Sequence, residues 1–429
     1  MSYQRPAHLQ LQARLQEQPG RLQIVAGPRQ VGKTTLVRQL MATRPGLSGL
    51  LVSTDAPGDL ASDEWALPEP TGSNATMFAA DRPADRAWLI EQWRRATAAA
   101  QAWRQSSHPA AQDLPFVLAI DEIQKVPQWS ETIKGLWDRQ MAGDLPIHLV
   151  LLGSAPLLIQ KGLTESLAGR YELLRMGHWS YNEMNVAFSL SLDEFVYFGG
   201  FPGSVGYVRE QPRWRDYVNW SLIHPNIERD ILQMTRIDKP ALLKQLFELG
   251  CAYSGQILSL DKILGQLNDA GNVTTLSRYL DLLGYAGLLR GLQKYSEHTL
   301  RQRKSPPKFQ VLNNALMSAP GSHSFEEAQA DRTHWGRLVE SAVGAHLCNE
   351  CGTDTRVHYW REGALEVDFV IEHRGRLAAI EVKSGKTAGA KRGLDEFAAR
   401  HPGCRTWVIG SAALPLGEFL RYPPEHWVA

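Results

Sequence analysis

A chain of 429 residues with 43% hydrophobic and 21% charged side chains has the makeup of a globular protein and excludes a mostly disordered one. The formal net charge of +1, with 33 arginines against 13 lysines, excludes a global field for nucleic acid or membrane, so any basic surface must be local. Four cysteines make no disulfide framework at this length, the opening MSYQRPAHLQLQ has no apolar core for a signal peptide, and the longest apolar runs are strand-length, so a cytoplasmic chain with no membrane partner is expected.

At roughly 150 residues per domain, the length suits two or three domains. Residues 22–26 (LQIVA) are a short apolar run leading into a glycine loop, and 48–54 (SGLLVST) reads as a second strand. From Ala56 to about Ala84, Pro, Asp, Ala and Gly predict an irregular excursion. Residues 85–105 carry Trp88, Leu89, Trp93 and Trp103 among arginines and alanines, which predicts a long surface helix. Buried-strand patterns follow at 116–120 (FVLAI) and 147–152 (IHLVLL), and strands alternating with helices predict an α/β fold with a parallel sheet. The stretch 240–293 reads as helical, and after Ser305-Pro306-Pro307 the pattern changes to a helix and three short strands. Boundaries near 187 and 320 divide the chain into 1–187, 188–320 and 321–429.

Gly27-Pro28-Arg29-Gln30-Val31-Gly32-Lys33-Thr34 fits GxxxxGK[ST], follows an apolar strand and opens a helix with Thr35. In that setting loop N–H groups and the helix N-terminus bind phosphate, Lys33 reaches the β- and γ-phosphates, and the Thr34 hydroxyl binds Mg²⁺. The competing reading is an accidental glycine-rich turn. FVLAIDE at 116–122 places Asp121 and Glu122 at the end of a buried strand, where two bare carboxylates are costly unless paired or metal-bound. Beside a phosphate loop, Asp121 can hold the Mg²⁺ shell and Glu122 can orient and deprotonate the attacking water. Ser154, at the tip of the next strand, would point at the γ-phosphate or serve as a plain turn residue. Arg170, at the end of a helix expected over 157–167, would meet a neighbouring subunit's nucleotide or form a surface salt bridge.

The segments GPRQVGKTTL, LAIDEIQ, VPQWSETIKGLWD, LLGSAPLLI and ESLAGRYELL resemble the prokaryotic AAA+ ATPases that carry an uncharacterised C-terminal region. This resemblance spans nearly the whole chain. It implies a P-loop AAA+ domain, ATP and Mg²⁺ as cofactors, and a homo-oligomeric ring, expected as a hexamer, with active sites between subunits. It gives Ser154 the sensor 1 position and Arg170 the arginine-finger position.

Residues 241–250, 258–267 and 274–289 read as three helices. In the third, Leu276, Tyr279, Leu280 and Leu283 form one face, Thr274 or Thr275 caps the start, and Ser277, Arg278 and Asp281 face away. Arg290 to Lys308 holds six basic residues against Glu297. Three helices and a basic two-strand excursion resemble a winged helix-turn-helix. DNA contact would then come from Arg278 and from Arg301, Arg303 and Lys304 on phosphates, while the competing use is packing or oligomer contact.

Strands ALEVDFVIE and LAAIEVKS flank the turn 373–376. With four turn residues, Glu372 faces Leu377, Asp368 faces Glu381, and Glu366 faces Lys383. Like charges directly opposite destabilise a sheet, so a divalent cation bridging Asp368 and Glu381 is the expected compensation. Lys383 would join that face, and Glu340 lies beside the helix stripe Trp335, Leu338, Val339, Ala342, Val343 and Leu347. Glu340…Val367-Asp368…Glu381-Val382-Lys383 resembles the PD-(D/E)xK restriction-endonuclease-like fold, with valine where the name has proline. The resemblance implies Mg²⁺-dependent phosphodiester cleavage, against a retained fold that does not cut. Cys348-Asn349-Glu350-Cys351 lacks a second metal-ligand pair and reads as a helix-end pair of thiols. The function expected is a ring-forming ATPase that binds and remodels DNA, branched or broken DNA included. The alternative is an ATP-gated switch whose C-terminal domain is a non-catalytic binding module.

Overall fold

Near-continuous apolar runs predict strands covered on both faces. The strands β1 (Leu22–Ala26), β4 (Val117–Asp121) and β5 (His148–Gly153) are buried at every position, and β2 (Gly49–Ser53) at all but its last. The computed structural model describes residues 3–43, 48–55, 62–65, 84–106, 115–143, 145, 147–153, 166–231, 237–265, 272–297, 305–383, 392–410 and 414–428. It divides into two units, residues 1–176 and 177–429.

In the first unit the sheet order is β3-β2-β4-β5-β1-β6, with β6 at Tyr171–Arg175. Five strands run parallel, and β3 (Ser62–Trp65) joins the β2 edge antiparallel. That edge strand falls within the excursion expected to be irregular. The helices α1 (Pro6–Arg14) and α2 (Lys33–Thr43) cover one face, where Leu11, Leu36, Val37 and Leu40 meet Val25, Val150 and Leu152. On the other face α3 (Arg86–Gln105) and α4 (Trp129–Met141) bury Trp93, Trp103, Trp129 and Trp137 against Ile24, Leu118 and Leu151. The long helix expected here keeps Arg86, Arg94 and Arg104 exposed while its tryptophans and alanines share a buried stripe. Its N-cap is Asp85, whose carboxylate accepts the Trp88 N–H at 2.8 Å.

The second unit begins with helices Tyr181–Phe188 and Leu192–Phe198, each opened by a reciprocal Ser/Glu capping box. Helices Pro240–Ala252, Leu260–Leu264 and Val273–Tyr285 follow. The third buries Leu276, Tyr279, Leu280 and Leu283 as its periodicity predicts, but Asn272 caps it, accepting the Thr275 N–H at 2.9 Å. A strand pair stands at the ends of the basic excursion, β7 (Leu289–Leu292) running antiparallel to β8 (Lys308–Val311). A four-stranded sheet, one strand more than expected, has the order β12-β11-β10-β9. Its strands are β9 (Thr355–Glu362), β10 (Leu365–His373), β11 (Arg376–Val382) and β12 (Arg405–Ile409), the last parallel to β11.

Val343 and Leu347 of helix Arg332–Glu350 pack on Phe369, Ile371 and Ile380. Leu394 and Phe397 of helix Arg392–Arg400 pack with Val367, Val370 and Ala379. The first of these cores also takes in Tyr181, Met184, Phe195 and Leu292. Residues on both sides of position 320 share this core. Among the described residues no helix is long and apolar enough to cross a membrane.

His346 is buried in this core, with Nε2 2.9 Å from the Tyr422 carbonyl oxygen. Burial pushes its imidazole down from 6.5 to about 4, against the weaker effect of that carbonyl. Between those values the unfolded chain takes up a proton that the folded chain refuses, so stability should fall as pH drops through the window. Denaturation midpoints at about pH 7 and about pH 5 should show the loss, and His346→Gln should shrink it.

Candidate functional site

The phosphate-loop segment runs from the end of β1 into α2. A Cβ at Gly27 would lie 2.1 Å from the Met176 carbonyl oxygen, so only glycine fits against the chain leaving β6. Gly32 turns at φ +94°, which opens α2 with its first N–H groups directed at the loop. Lys33 is buried, and its ammonium donates to the carbonyls of Gly27 and Pro28 at 3.0 and 2.8 Å. Val31 is buried, its carbonyl accepting from Arg5 at 3.0 Å, whereas Thr35 is exposed on the first turn of α2. Pro28, Arg29 and Gln30 complete the loop, Gln30 at φ 59°.

β4 delivers Asp121 to the same place. The Thr34 hydroxyl donates to Asp121 Oδ2 at 2.5 Å. Burial pushes the Asp121 carboxyl up; the Thr34 hydrogen bond and the Lys33 charge oppose that rise, and Glu122 adds to it. Glu122 sits at φ 55°, a conformation costing about 1–3 kcal/mol for a residue with a Cβ. Its backbone is pinned by the Thr54 hydroxyl on its carbonyl at 3.1 Å and by its own N–H on Asp121 Oδ1 at 2.9 Å. Gln124 Nε2 donates to Glu122 Oε2 at 2.6 Å. Gln124 is a residue the sequence reading missed, although it stands in the quoted segment LAIDEIQ.

This donor set fits a magnesium nucleotide. A hydroxyl and a carboxylate already share one hydrogen bond, beside a buried ammonium and a helix N-terminus. Lys33 and the α2 N–H groups would hold the phosphates, Thr34 and Asp121 the cation, and Glu122 a water. Bound Mg-ATP supplies the phosphoryl group.

Ser154 lies outside the described residues, as do residues 157–165 of the helix expected over 157–167. Arg170 is described, and it forms the salt bridge that the sequence left open. Nε and Nη2 meet the two carboxylate oxygens of Asp138 in α4 at 2.8 and 3.1 Å. The pair pulls the Asp138 carboxyl below its ordinary value and raises the Arg170 guanidinium. Arg170 precedes β6, and its carbonyl accepts the Leu22 N–H at the start of β1. Its own phosphate loop begins five residues along, roughly 16 Å of strand away.

In the second unit the hairpin register sums as predicted, from His373–Arg376 to Phe369–Ile380. The connection is tighter than four residues: only Arg374 and Gly375, both at positive φ, turn the chain. The ladder stops one pair short of Asp368–Glu381. There β10 slips register against β9, and Asp368 Oδ2 accepts the Val382 N–H at 2.8 Å. Asp368 and Glu381 are therefore not the opposed ladder pair that was expected, nor are Glu366 and Lys383. Lys383 lies 2.5 Å from Glu381 Oε1. Glu340 lies 2.6 Å from the ammonium of Lys308, a fully buried residue. Lys383 thus joins the face of Glu381, as expected, and among the described residues no group of three or more His, Cys, Asp or Glu is arranged for a metal ion. Lys308, counted with the basic stretch for phosphate contact, points into the protein instead. The signal was its place in the apolar run KFQVL. Arg278 is exposed on its helix, and Arg301, Arg303 and Lys304 lie outside the described residues.

Residues 20–185 match the family model described as AAA domain. The chain carries an AAA domain. Residues 189–322 and 335–419 match two further models, Domain of unknown function (DUF8612) and Domain of unknown function (DUF4143). No curated protein matches the chain. Solved structures similar to it include a RuvB mutant from Thermotoga maritima, at 17% identity over 66% of this chain and 86% of that one, with a TM-score of 0.30. Cdc6p from Pyrobaculum aerophilum shares 14% identity over 78% and 93%, at 0.30. Drosophila ORC bound to DNA shares 12% over 76% and 94%, at 0.29. Superpositions this loose carry no argument about activity.

Lys33→Ala should abolish nucleotide binding, because the phosphate charge loses its buried cation. Glu122→Gln should bind Mg-ATP as wild type does and hydrolyse it roughly 10²–10⁴-fold more slowly, the range of a lost general base. Equilibrium binding of a fluorescent nucleotide alongside phosphate release checks both, and wild-type turnover by Glu122→Gln would remove Glu122 from the chemistry.

Proposed function

We propose that the AAA domain hydrolyses ATP with Mg²⁺ and that the chain works as a homo-oligomeric ring, a hexamer, acting on DNA. The observation that carries this reading is the convergence of Lys33, Thr34, Asp121 and Glu122 at the strand ends beside one helix N-terminus. Lys33 binds the phosphates, Thr34 and Asp121 hold the cation, and Glu122, aimed by Gln124, takes the proton of the attacking water. Ser154 serves as the sensor of the γ-phosphate.

Arg170 acts in trans. Its distance from its own loop argues against a role in its own subunit's site, and the Asp138 pair holds it ready at the far edge of the sheet. The Asp138 contact opens when a neighbour's phosphates arrive, since an exposed pair of this kind is worth little in water. Glu122 and Arg170 then come from different subunits.

The three helices and the β7–β8 pair support a winged-helix reading, with Arg278 exposed on the third helix as recognition would require. Arg278 reads the duplex, and Arg301, Arg303 and Lys304 bind phosphates. The sheet β9–β12, with a helix packed on each face, supports a restriction-endonuclease-like module that binds DNA, branched or broken ends included. Cleavage by Glu340, Asp368, Glu381 and Lys383 is not part of this reading, because the Lys308 ammonium lies 2.6 Å from Glu340 and Lys383 lies 2.5 Å from Glu381.

ATPase assays on single-stranded, duplex and four-way-junction DNA should show stimulation by at least one form. Replacing Arg278, Arg301, Arg303 and Lys304 with alanine should weaken binding to all sequences and flatten the salt dependence by up to about 0.9 log units per lost phosphate contact. An ATPase indifferent to every DNA, with assembly set by nucleotide, would instead mark an ATP-gated switch. Arg170→Ala should bind nucleotide without turnover, and mixing it with Lys33→Ala should restore activity. Mixed oligomers that stay inactive would rule out Arg170 in trans.

A further inference from the structure

The carboxylates of the second unit pose a problem of charge. Glu340 on helix Arg332–Glu350, Asp368 on β10 and Glu381 on β11 are all largely withdrawn from water, with side chains 24%, 18% and 18% exposed. Charges placed this way need a cation. Lys383 answers for Glu381. For the other two the cation comes from β8, a strand nearly 30 residues upstream of Glu340 in sequence.

Lys308 Nζ lies 2.6 Å from Glu340 Oε1 and 3.9 Å from Asp368 Oδ1, and donates to the Asp368 carbonyl at 3.0 Å. It sits 4.5 Å from the Phe369 ring centre. The side chain is 0% exposed. Burial alone would favour the neutral amine, but Glu340 and Asp368 outweigh it and raise the ammonium above its ordinary value. The strand that carries it is fixed on both sides. Gly255 N–H donates to Phe309 C=O at 2.8 Å, Phe309 N–H to Gln256 C=O at 2.9 Å, and Gln310 Nε2 to Ser341 C=O at 2.8 Å. A Cβ at Gly344 would fall 1.9 Å from Gln310 Oε1 and 2.8 Å from the Phe369 ring, so the helix bearing Glu340 packs closely on β8 at that glycine.

A divalent ion on Glu340 and Asp368 would need oxygens at about 2.0–2.2 Å and several further oxygen ligands. The ammonium holds that ground, 2.6 Å from Glu340 Oε1 and 3.9 Å from Asp368 Oδ1, and the Val382 N–H takes the second oxygen of Asp368. These residues do not fit a magnesium site while Lys308 is in place.

We propose that Lys308 is the resident cation of this cluster, standing where a divalent ion would otherwise bind, and that removing its charge turns the cluster into a divalent-metal site. The middle region thereby supplies a side chain that completes the C-terminal one, and the wild-type cluster takes no divalent ion.

The test is Mn²⁺ binding to the nucleotide-free full-length protein, read by the loss of free-Mn²⁺ paramagnetic resonance and by thermal midpoint. Lys308→Ala and Lys308→Gln should each bind one more Mn²⁺ per chain than wild type and gain a Mn²⁺-dependent rise in midpoint. Adding Asp368→Asn to either should abolish the gain. Wild type and Asp368→Asn should bind the same amount of Mn²⁺. Folded lysine variants with no added site would overturn the proposal, as would a wild-type site that Asp368→Asn removes. If neither lysine variant folds, the comparison of wild type with Asp368→Asn decides alone. None of these readouts depends on ATP hydrolysis or DNA, so the proposal and the ATPase reading can fail separately.

Discussion

A carboxylate taken out of water must find a hydrogen-bond donor or a cation, and each unit of this chain is organised around that demand. In the first unit, Asp121 at the end of a fully buried strand is met by the Thr34 hydroxyl and by the field of Lys33. A hydroxyl is a neutral, exchangeable partner, so the site keeps room for a cation. In the second unit, Glu340 and Asp368 are met by an ammonium delivered on a strand and held from both sides. That partner is covalently bound within the chain. The same electrostatic demand is thus met once by a partner that leaves the site open and once by one that fills it.

The sheet order explains why the first unit can use its opening. β5 lies between β1 and β4, so the loop after β1 and the carboxylates after β4 flank the tip of β5 at one edge of the sheet. Parallel strands put all these ends on the same side, and side chains far apart in sequence converge there without help from the loops. Arg170 lies at the opposite edge, where β6 begins, away from its own phosphate loop.

Much of the first unit was legible. The loop glycines, Lys33 and Thr34 carry their spacing in one contiguous segment, and Asp121-Glu122 ends a run with no polar residue in it. What was missed depended on tertiary partners: Gln124 on Glu122 and Asp138 on Arg170. In the second unit the hairpin register followed from the turn alone. Its consequence did not, because the ladder opens where the like charges would have met. In the sequence Lys308 is one of six basic residues in an excursion that reads as a phosphate-binding wing. A count of charges cannot show that one of them begins a buried strand, and only the packing of KFQV against the helix bearing Glu340 reveals its target.

The most direct measurement is the number of Mn²⁺ ions held per chain in the presence of a non-hydrolysable ATP analogue. One cation shared by Thr34 and Asp121, with the second cluster filled by Lys308, predicts one Mn²⁺ with nucleotide, lost in Asp121→Asn and unchanged in Asp368→Asn. A second ion that disappears with Asp368→Asn, or no nucleotide-dependent ion at all, would contradict it.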